Sequence, residues 1–179
     1  MDRLLYCVFI QGTVFLMFFV MHPIALMDVD NLNACREEFI YFENHCYYFA
    51  SERQIFTIAK EKCNNYSLSQ SNLCHLTSIH SAEENAFIRG NAQRRWGENS
   101  FWLGATKEDS VQNEYSWLDG SPMYFADFKP NPKPGTCLQW PGKPPGWNGA
   151  NCSFKKYFVC KTKAVTPYSV AIYSGTQRH

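Results

Sequence analysis

The chain has almost no net charge: 17 Lys and Arg against 16 Asp and Glu leave +1 at neutral pH, and only 18% of residues are charged. The basic residues are scattered, with Lys155, Lys156, Lys161 and Lys163 the one loose cluster. That excludes the concentrated positive stripe that nucleic-acid binding needs. Internal repeats, heptad runs and low-complexity blocks are missing, which excludes solenoids and coiled coils. A Gly-rich phosphate cradle is missing too. Catalytic spacing is equally scarce. The one close polar constellation is His75, His80, Glu83 and Glu84. Its histidines are five apart across a strand-to-helix junction, matching neither a zinc pair at helical spacing nor a triad. We read no enzyme from it.

Cysteine, by contrast, is plentiful, with eight residues. Cys7 lies inside an apolar N-terminal run, residues 4–21, broken only by Gln11, Gly12 and Thr13 and followed by Pro23 and Ala25. This pattern predicts a secretory signal peptide over residues 1–26, so that Cys7 leaves with it. The competing expectation is a type II membrane anchor, since about 18 apolar residues is near the lower limit for a span. Either outcome puts the rest of the chain in an oxidising compartment, where Cys35, Cys46, Cys63, Cys137, Cys152 and Cys160 read as a disulfide framework of open connectivity. Cys74 is left over.

The remaining ~150 residues suit one domain. Ser51 with Gln54 has capping-box spacing before apolar residues at four-residue steps, which predicts a helix over about 52–64. Ser81 with Glu84 repeats that signature and predicts a second helix over about 82–92. Residues 39–49 are rich in Tyr and Phe and read as a hairpin turning at Asn44 and His45. Short strands are expected at 101–105, 115–118, 137–140 and 157–160. Residues 122–151 are too dense in Pro and Gly for long regular elements.

These residues, taken in order, resemble the C-type lectin-like domain. The segment from Cys35 through Phe42 to Cys46, Tyr47, Tyr48 and Phe49 resembles the N-terminal hairpin of the family's long form. Phe56, Ala59 and Cys63 resemble its first helix, and His75, Leu76, Ile79, His80, Ser81, Glu83, Glu84 and Asn85 the approach to its second. Trp102-Leu103-Gly104 resembles the central strand, Trp117-Leu118-Asp119-Gly120-Ser121 the turn after it, and Trp147-Asn148 before Cys152 the last loop. The resemblance covers 35–162 and leaves 163–179 as a C-terminal tail. It implies an α+β fold with two helices flanking short antiparallel strands and a long irregular loop. It also implies three bridges: Cys35 with Cys46, clamping the hairpin, Cys63 with Cys160, and Cys137 with Cys152.

In lectins of this family, calcium is held by an Asx/Glx-Pro-Asx/Glx tripeptide, an acidic residue just before the loop's cysteine, and an Asn-Asp after a Trp. Here the tripeptides are Lys129-Pro130-Asn131 and Lys133-Pro134-Gly135, the residue before Cys137 is Thr136, and the last motif is Trp147-Asn148-Gly149. Calcium needs about 6 to 8 oxygen ligands. Lysine and glycine stand where oxygens are needed, so calcium is disfavoured and no other cofactor is expected. Asp127 alone is weak support for a different metal site.

The Trp residues at 102, 117, 140 and 147 are expected in the core. Tyr124, Phe125 and Phe128 are less constrained, either touching a ligand or forming a satellite cluster under the loop. With Asp127, Lys129, Asn131, Lys133 and Asn148 they make the candidate ligand loop. Asn65-Tyr66-Ser67 is a glycosylation sequon on an expected surface loop, whereas Asn151-Cys152-Ser153 is discounted because Cys152 should be bridged. Cys74 is either a buried small hydrophobe or, if the insertion 64–73 presents it at the surface, a dimerising thiol. The function expected is a secreted, non-enzymatic recognition module that binds a glycan or a protein through the long loop; the alternatives are a calcium-dependent carbohydrate-binding lectin or a type II membrane-anchored lectin-like receptor.

Overall fold

The computed structural model describes residues 8–10, 13–15, 34–107, 114–143 and 146–165. Within the N-terminal segment, strands β1 (Val8–Ile10) and β2 (Thr13–Phe15) pair antiparallel. The remainder of the expected signal peptide, and residues 166–179 of the expected tail, lie outside the described residues. Among those described, no helix is long and apolar enough to cross a membrane.

The domain is organised around an eight-stranded sheet. β3 (Ile40–Phe42) and β4 (His45–Phe49) form the expected hairpin. Its turn is Glu43-Asn44, not Asn44-His45: both turn residues have positive φ, 44° and 62°, the geometry of a two-residue hairpin turn. β4 pairs with β10 (Tyr157–Lys163), so the two ends of the domain are zipped together. The order continues through β6 (Phe101–Lys107), β8 (Cys137–Trp140) and β9 (Asn148–Ala150). β5 (His75–Leu76) adds to β10, and β7 (Tyr115–Trp117) to β6. One pairing departs from the expected antiparallel pattern, since Tyr157 and Phe158 of β10 run parallel to Phe101 and Trp102 of β6.

The first helix, α1, spans Phe56–Asn64 and starts later than its capping-box spacing predicts. The backbone of Gln54 is committed to Lys156, donating to its carbonyl at 2.8 Å and accepting from its amide at 3.0 Å. Residues before Ile55 are therefore held as a strand-like bridge, and the helix begins with no side-chain cap. The second helix, α2 (Ala82–Trp96), is capped as expected: Ser81 Oγ accepts from Glu84 N at 3.0 Å. It runs four residues beyond the expected end because Trp96 adds to its buried face and stacks on Tyr157, with centroids 4.7 Å apart. Gly97, at φ 62°, ends it. β10 also outruns its expected end, following its partner β4 to Lys163. The unexpected strand β9, in the Gly-containing stretch 148–150, forms against β8 beside the Cys137–Cys152 bridge.

The three disulfides are Cys35–Cys46, Cys63–Cys160 and Cys137–Cys152. Two packed clusters fill the interior. One gathers Trp96, Trp117, Trp140 and Trp147 with Leu103, Leu138 and Val159; the other gathers Phe56, Trp102 and Phe158 around the buried cysteines. Cys74 belongs to the second cluster and is completely buried. The insertion therefore does not present it at the surface. Its backbone N–H donates to Ser67 Oγ at 2.9 Å, and the loop is tied to β10 through Thr162 Oγ1, which donates to Asn72 Oδ1. Burial pushes the Cys74 thiol up to about 12. A protonated, enclosed thiol is a poor nucleophile. On protein lacking residues 1–26, and so Cys7, a maleimide probe is therefore expected to leave the folded domain unlabelled and to label one site only after unfolding. Labelling at the rate of a free thiol in native buffer would contradict this placement.

Candidate functional site

Within the described part of the Pro- and Gly-rich segment, Trp147 bridges to the stretch around Phe128. Trp147 N donates to Asp127 O at 2.6 Å and Lys129 N to Trp147 O at 3.2 Å. The indole Nε1–H donates to Asn85 Oδ1 at 3.2 Å, and Asn85 Nδ2 donates in turn to Asp127 Oδ2 at 2.8 Å. Asn85, buried on α2, thus fastens the helix to the loop on both sides. Asp127 is used structurally. Among the described residues, no group of three or more His, Cys, Asp or Glu is placed to hold a metal ion.

The loop aromatics divide. Phe125 and Phe128 meet the Trp147 ring edge-on, each at 5.7 Å, and Phe128 also stacks on Tyr115 at 5.7 Å; Phe125 packs against the core, while Phe128 keeps 36% of its surface exposed. Tyr124 is 93% exposed. Trp102, Trp117, Trp140 and Trp147 are all core residues. Asn131 sits at an exposed turn with φ 53°. Asn65 is exposed at the end of α1, as a glycosylation site requires.

Lys129, Lys133 and Asn148 come together on a cavity of about 650 Å³. Asn148 is buried at its floor, where its carboxamide meets that of Gln139 at 2.6 Å. Turning the Asn148 oxygen to Lys129 Nζ, 3.3 Å away, places its nitrogen 3.2 Å from Gly149 O and 2.6 Å from the Gln139 carboxamide, which turns with it so that the Gln139 oxygen accepts. A lysine ammonium therefore lies against Asn148, one of the two amides that remain of the family's metal-binding motifs; the other, Asn131, is exposed. The neighbouring glycine is enforced by packing. A Cβ at Gly149 would fall 2.5 Å from Tyr115 Oη and 2.6 Å from Gly135 N, while Tyr115 Oη already donates to Gly135 O at 2.6 Å. No acidic side chain fits there. Two amides, a resident cation and a blocked carboxylate position fall short of the roughly 6 to 8 oxygens that calcium takes.

Several residues of this cavity escaped sequence reasoning. Gln139 is a lone polar residue in a buried strand, and Lys143 follows a Pro-Gly pair. Lys156 was visible only as one of a loose basic cluster. That cluster is divided by the fold: Lys156 reaches the cavity, whereas Lys161 is in the core. There Lys161 Nζ donates to Glu84 Oε1 at 2.6 Å, Tyr47 Oη donates to the same oxygen at 2.7 Å, and His80 N donates to Glu84 Oε2 at 2.8 Å. Burial and the Glu84 charge drive the Tyr47 phenol upward and keep it neutral. The histidine–glutamate constellation is thus divided as well. Glu84 is a buried structural anchor, Glu83 is exposed, and His75 and His80 line a separate cavity of about 340 Å³. His80 Nε2 lies 3.0 Å from Ser78 Oγ and 3.3 Å from Ser121 Oγ, and both hydroxyls donate to Asp119. The histidine makes no bond to that carboxylate, so the geometry is not that of a charge-relay triad.

Comparison with known proteins agrees with this architecture. The family model for the lectin C-type domain matches residues 46–162. C-type lectin domain family 17, member A, of Homo sapiens is 29% identical over 133 residues, covering 72% of this chain and 32% of that protein. The chain thus spans about a third of the human relative. Snaclec B9 of Macrovipera lebetinus is 26% identical over 123 residues, covering 69% of this chain and 78% of the snaclec. The solved C-type lectin CEL-I from Cucumaria echinata has the same fold, with a TM-score of 0.68 and 21% identity over 73% of this chain and 99% of its own. The family's members are non-enzymatic binding proteins. With its three bridges, its two helices and a family match over most of its length, this chain belongs to the C-type lectin domain family.

Proposed function

We propose that this protein is a secreted recognition module that engages a glycan or protein ligand through its long loop without calcium. The observation that carries the reading is Lys129 Nζ set 3.3 Å from the end of the Asn148 carboxamide, where the oxygen is the atom that can accept from it. An ammonium tethered there supplies the positive charge a metal would bring, and two cations at that spacing repel. Secretion is supported by the apolar run 4–21 and by disulfides that persist in oxidising compartments. Asn65 is the proposed glycan acceptor.

The test is calcium titration by calorimetry and thermal unfolding, together with a glycan array run with calcium and with chelator. The expected outcome is no heat of binding, an unchanged melting temperature and an array pattern indifferent to chelator. A melting temperature that rises in calcium and falls back on chelation would refute the reading. Restoring the family's acid through Gly149→Asp is expected to destabilise the domain by about 1 to 3 kcal/mol, because the Cβ overpacks against Tyr115 and Gly135. No calcium affinity is expected to appear.

A further inference from the structure

The cavity beside Asn148 is lined by Lys129, Lys133, Lys143 and Lys156, and among the described residues no carboxylate lines it. Of the four, only Lys143 has an acidic partner among the described residues, Glu98. Lys129 rests on Asn148, and Lys156 Nζ donates to Ser100 Oγ at 3.1 Å. Three ammonium groups thus line one cavity with no acidic partner among the described residues, on a chain whose overall balance is nearly neutral. Such a concave, one-signed lining focuses potential and concentrates anions.

The rest of the lining narrows the anion. The floor carries the Gln139 and Asn148 carboxamides, and one Gln139 polar atom is buried without a partner. Gln139 itself is only 8% exposed. Carboxamides pair with hydroxyl groups as both donors and acceptors. At the rim, Phe154 is 57% exposed beside Lys156 Nζ and offers a flat apolar face. At about 650 Å³ the cavity falls in the range of small-ligand sites.

Resting on the calcium-free reading above, we infer that this cavity binds an acidic saccharide. The lysines take its sulfate or carboxylate groups, the floor carboxamides its hydroxyls, and Phe154 a ring face. A purely acidic peptide supplies the charge but not the dense hydroxyl pattern that the floor suits.

The experiment measures affinity for a heparin-derived tetrasaccharide, its desulfated counterpart, an oligogalacturonate and a poly-glutamate peptide, each with calcium and with chelator. The expected result is chelator-insensitive, salt-sensitive binding of a charged saccharide, with the sulfated and uronate arms identifying the anion. Lys133→Gln and Lys156→Gln are each expected to weaken it about three- to tenfold. Lys133 is exposed, so that variant leaves the core untouched. Lys60→Gln, outside the cavity, should change nothing. Affinity unaltered by the cavity variants, poly-glutamate binding as tightly as the saccharides, or no acidic saccharide binding at all each overturns the inference and leaves the calcium-free reading standing. Binding that requires calcium overturns both.

Discussion

Replacing Cys63 and Cys160 together by alanine is expected to lower the unfolding free energy by about 4 to 5 kcal/mol, more than any other paired cysteine replacement here. The bridge spans 97 residues, and in the chain-entropy model a loop of that length constrains the unfolded chain by about that amount. The Cys137–Cys152 bridge spans 15 residues and is expected to contribute about 3 kcal/mol in the same model. Folded-state reasons point the same way. α1 has nine residues and no side-chain N-cap, and helices that short are not stable alone in water. Its buried face consists of Phe56, Ala59 and Cys63, so one of three anchoring positions is the bridge itself. Phe56, edge-on to Trp102 at 5.4 Å, is the main remaining tie. Urea unfolding of the double alanine variant, with hydrogen exchange in α1, measures both effects. A loss below about 1 kcal/mol, with α1 protection intact, would show that Phe56 packing alone docks the helix.

The second large effect is expected at the buried pair of Glu84 and Lys161, whose side chains are 6% and 8% exposed. Removing one partner of such a pair leaves an uncompensated charge in the interior and costs about 3 to 5 kcal/mol. The two single variants should differ. Glu84→Ala takes away the acceptor of Tyr47 Oη, Lys161 Nζ and His80 N at once and strands the ammonium among β4, β10 and α2. Lys161→Met leaves the carboxylate with its Tyr47 and His80 donors and is expected to cost less, about 2 to 3 kcal/mol. The order Glu84→Ala worse than Lys161→Met, with strong coupling in the double-mutant cycle, is the expected outcome of denaturant titration. Equal small losses would mean that the pair is screened by water. The effect should reach the loop, because Asn85, next to Glu84, holds both Asp127 and Trp147. Any ligand affinity is therefore expected to fall along with stability in Glu84→Ala.

The framework was legible in the chain because its signals are local or carried by ordered anchors. The Ser81–Glu84 cap, the aromatic hairpin, and the Trp-Leu-Gly and Trp-Leu-Asp-Gly-Ser segments each specify an element within a few residues. The first helix was misread at its start because the competing bond partner of Gln54 is Lys156, which no local window contains. The strand at 148–150 was missed for a similar reason, since its stretch has little strand propensity of its own and pairs only because β8 lies beside it.

The amino-acid sequence by itself determined the family, the identity of the cysteines that frame the domain, and the replacement of the expected calcium ligands by Lys129 and Gly149. Tertiary structure alone decided what those replacements mean. It put the Lys129 ammonium on the Asn148 oxygen, closed the Gly149 position with Tyr115 and Gly135, and buried Cys74. It also sent Lys161 inward to Glu84 while Lys156 turned to the cavity. Charge and residue type are properties of the chain, but whether a lysine neutralises a buried carboxylate or faces an open cavity depends on which distant strand lies beneath it.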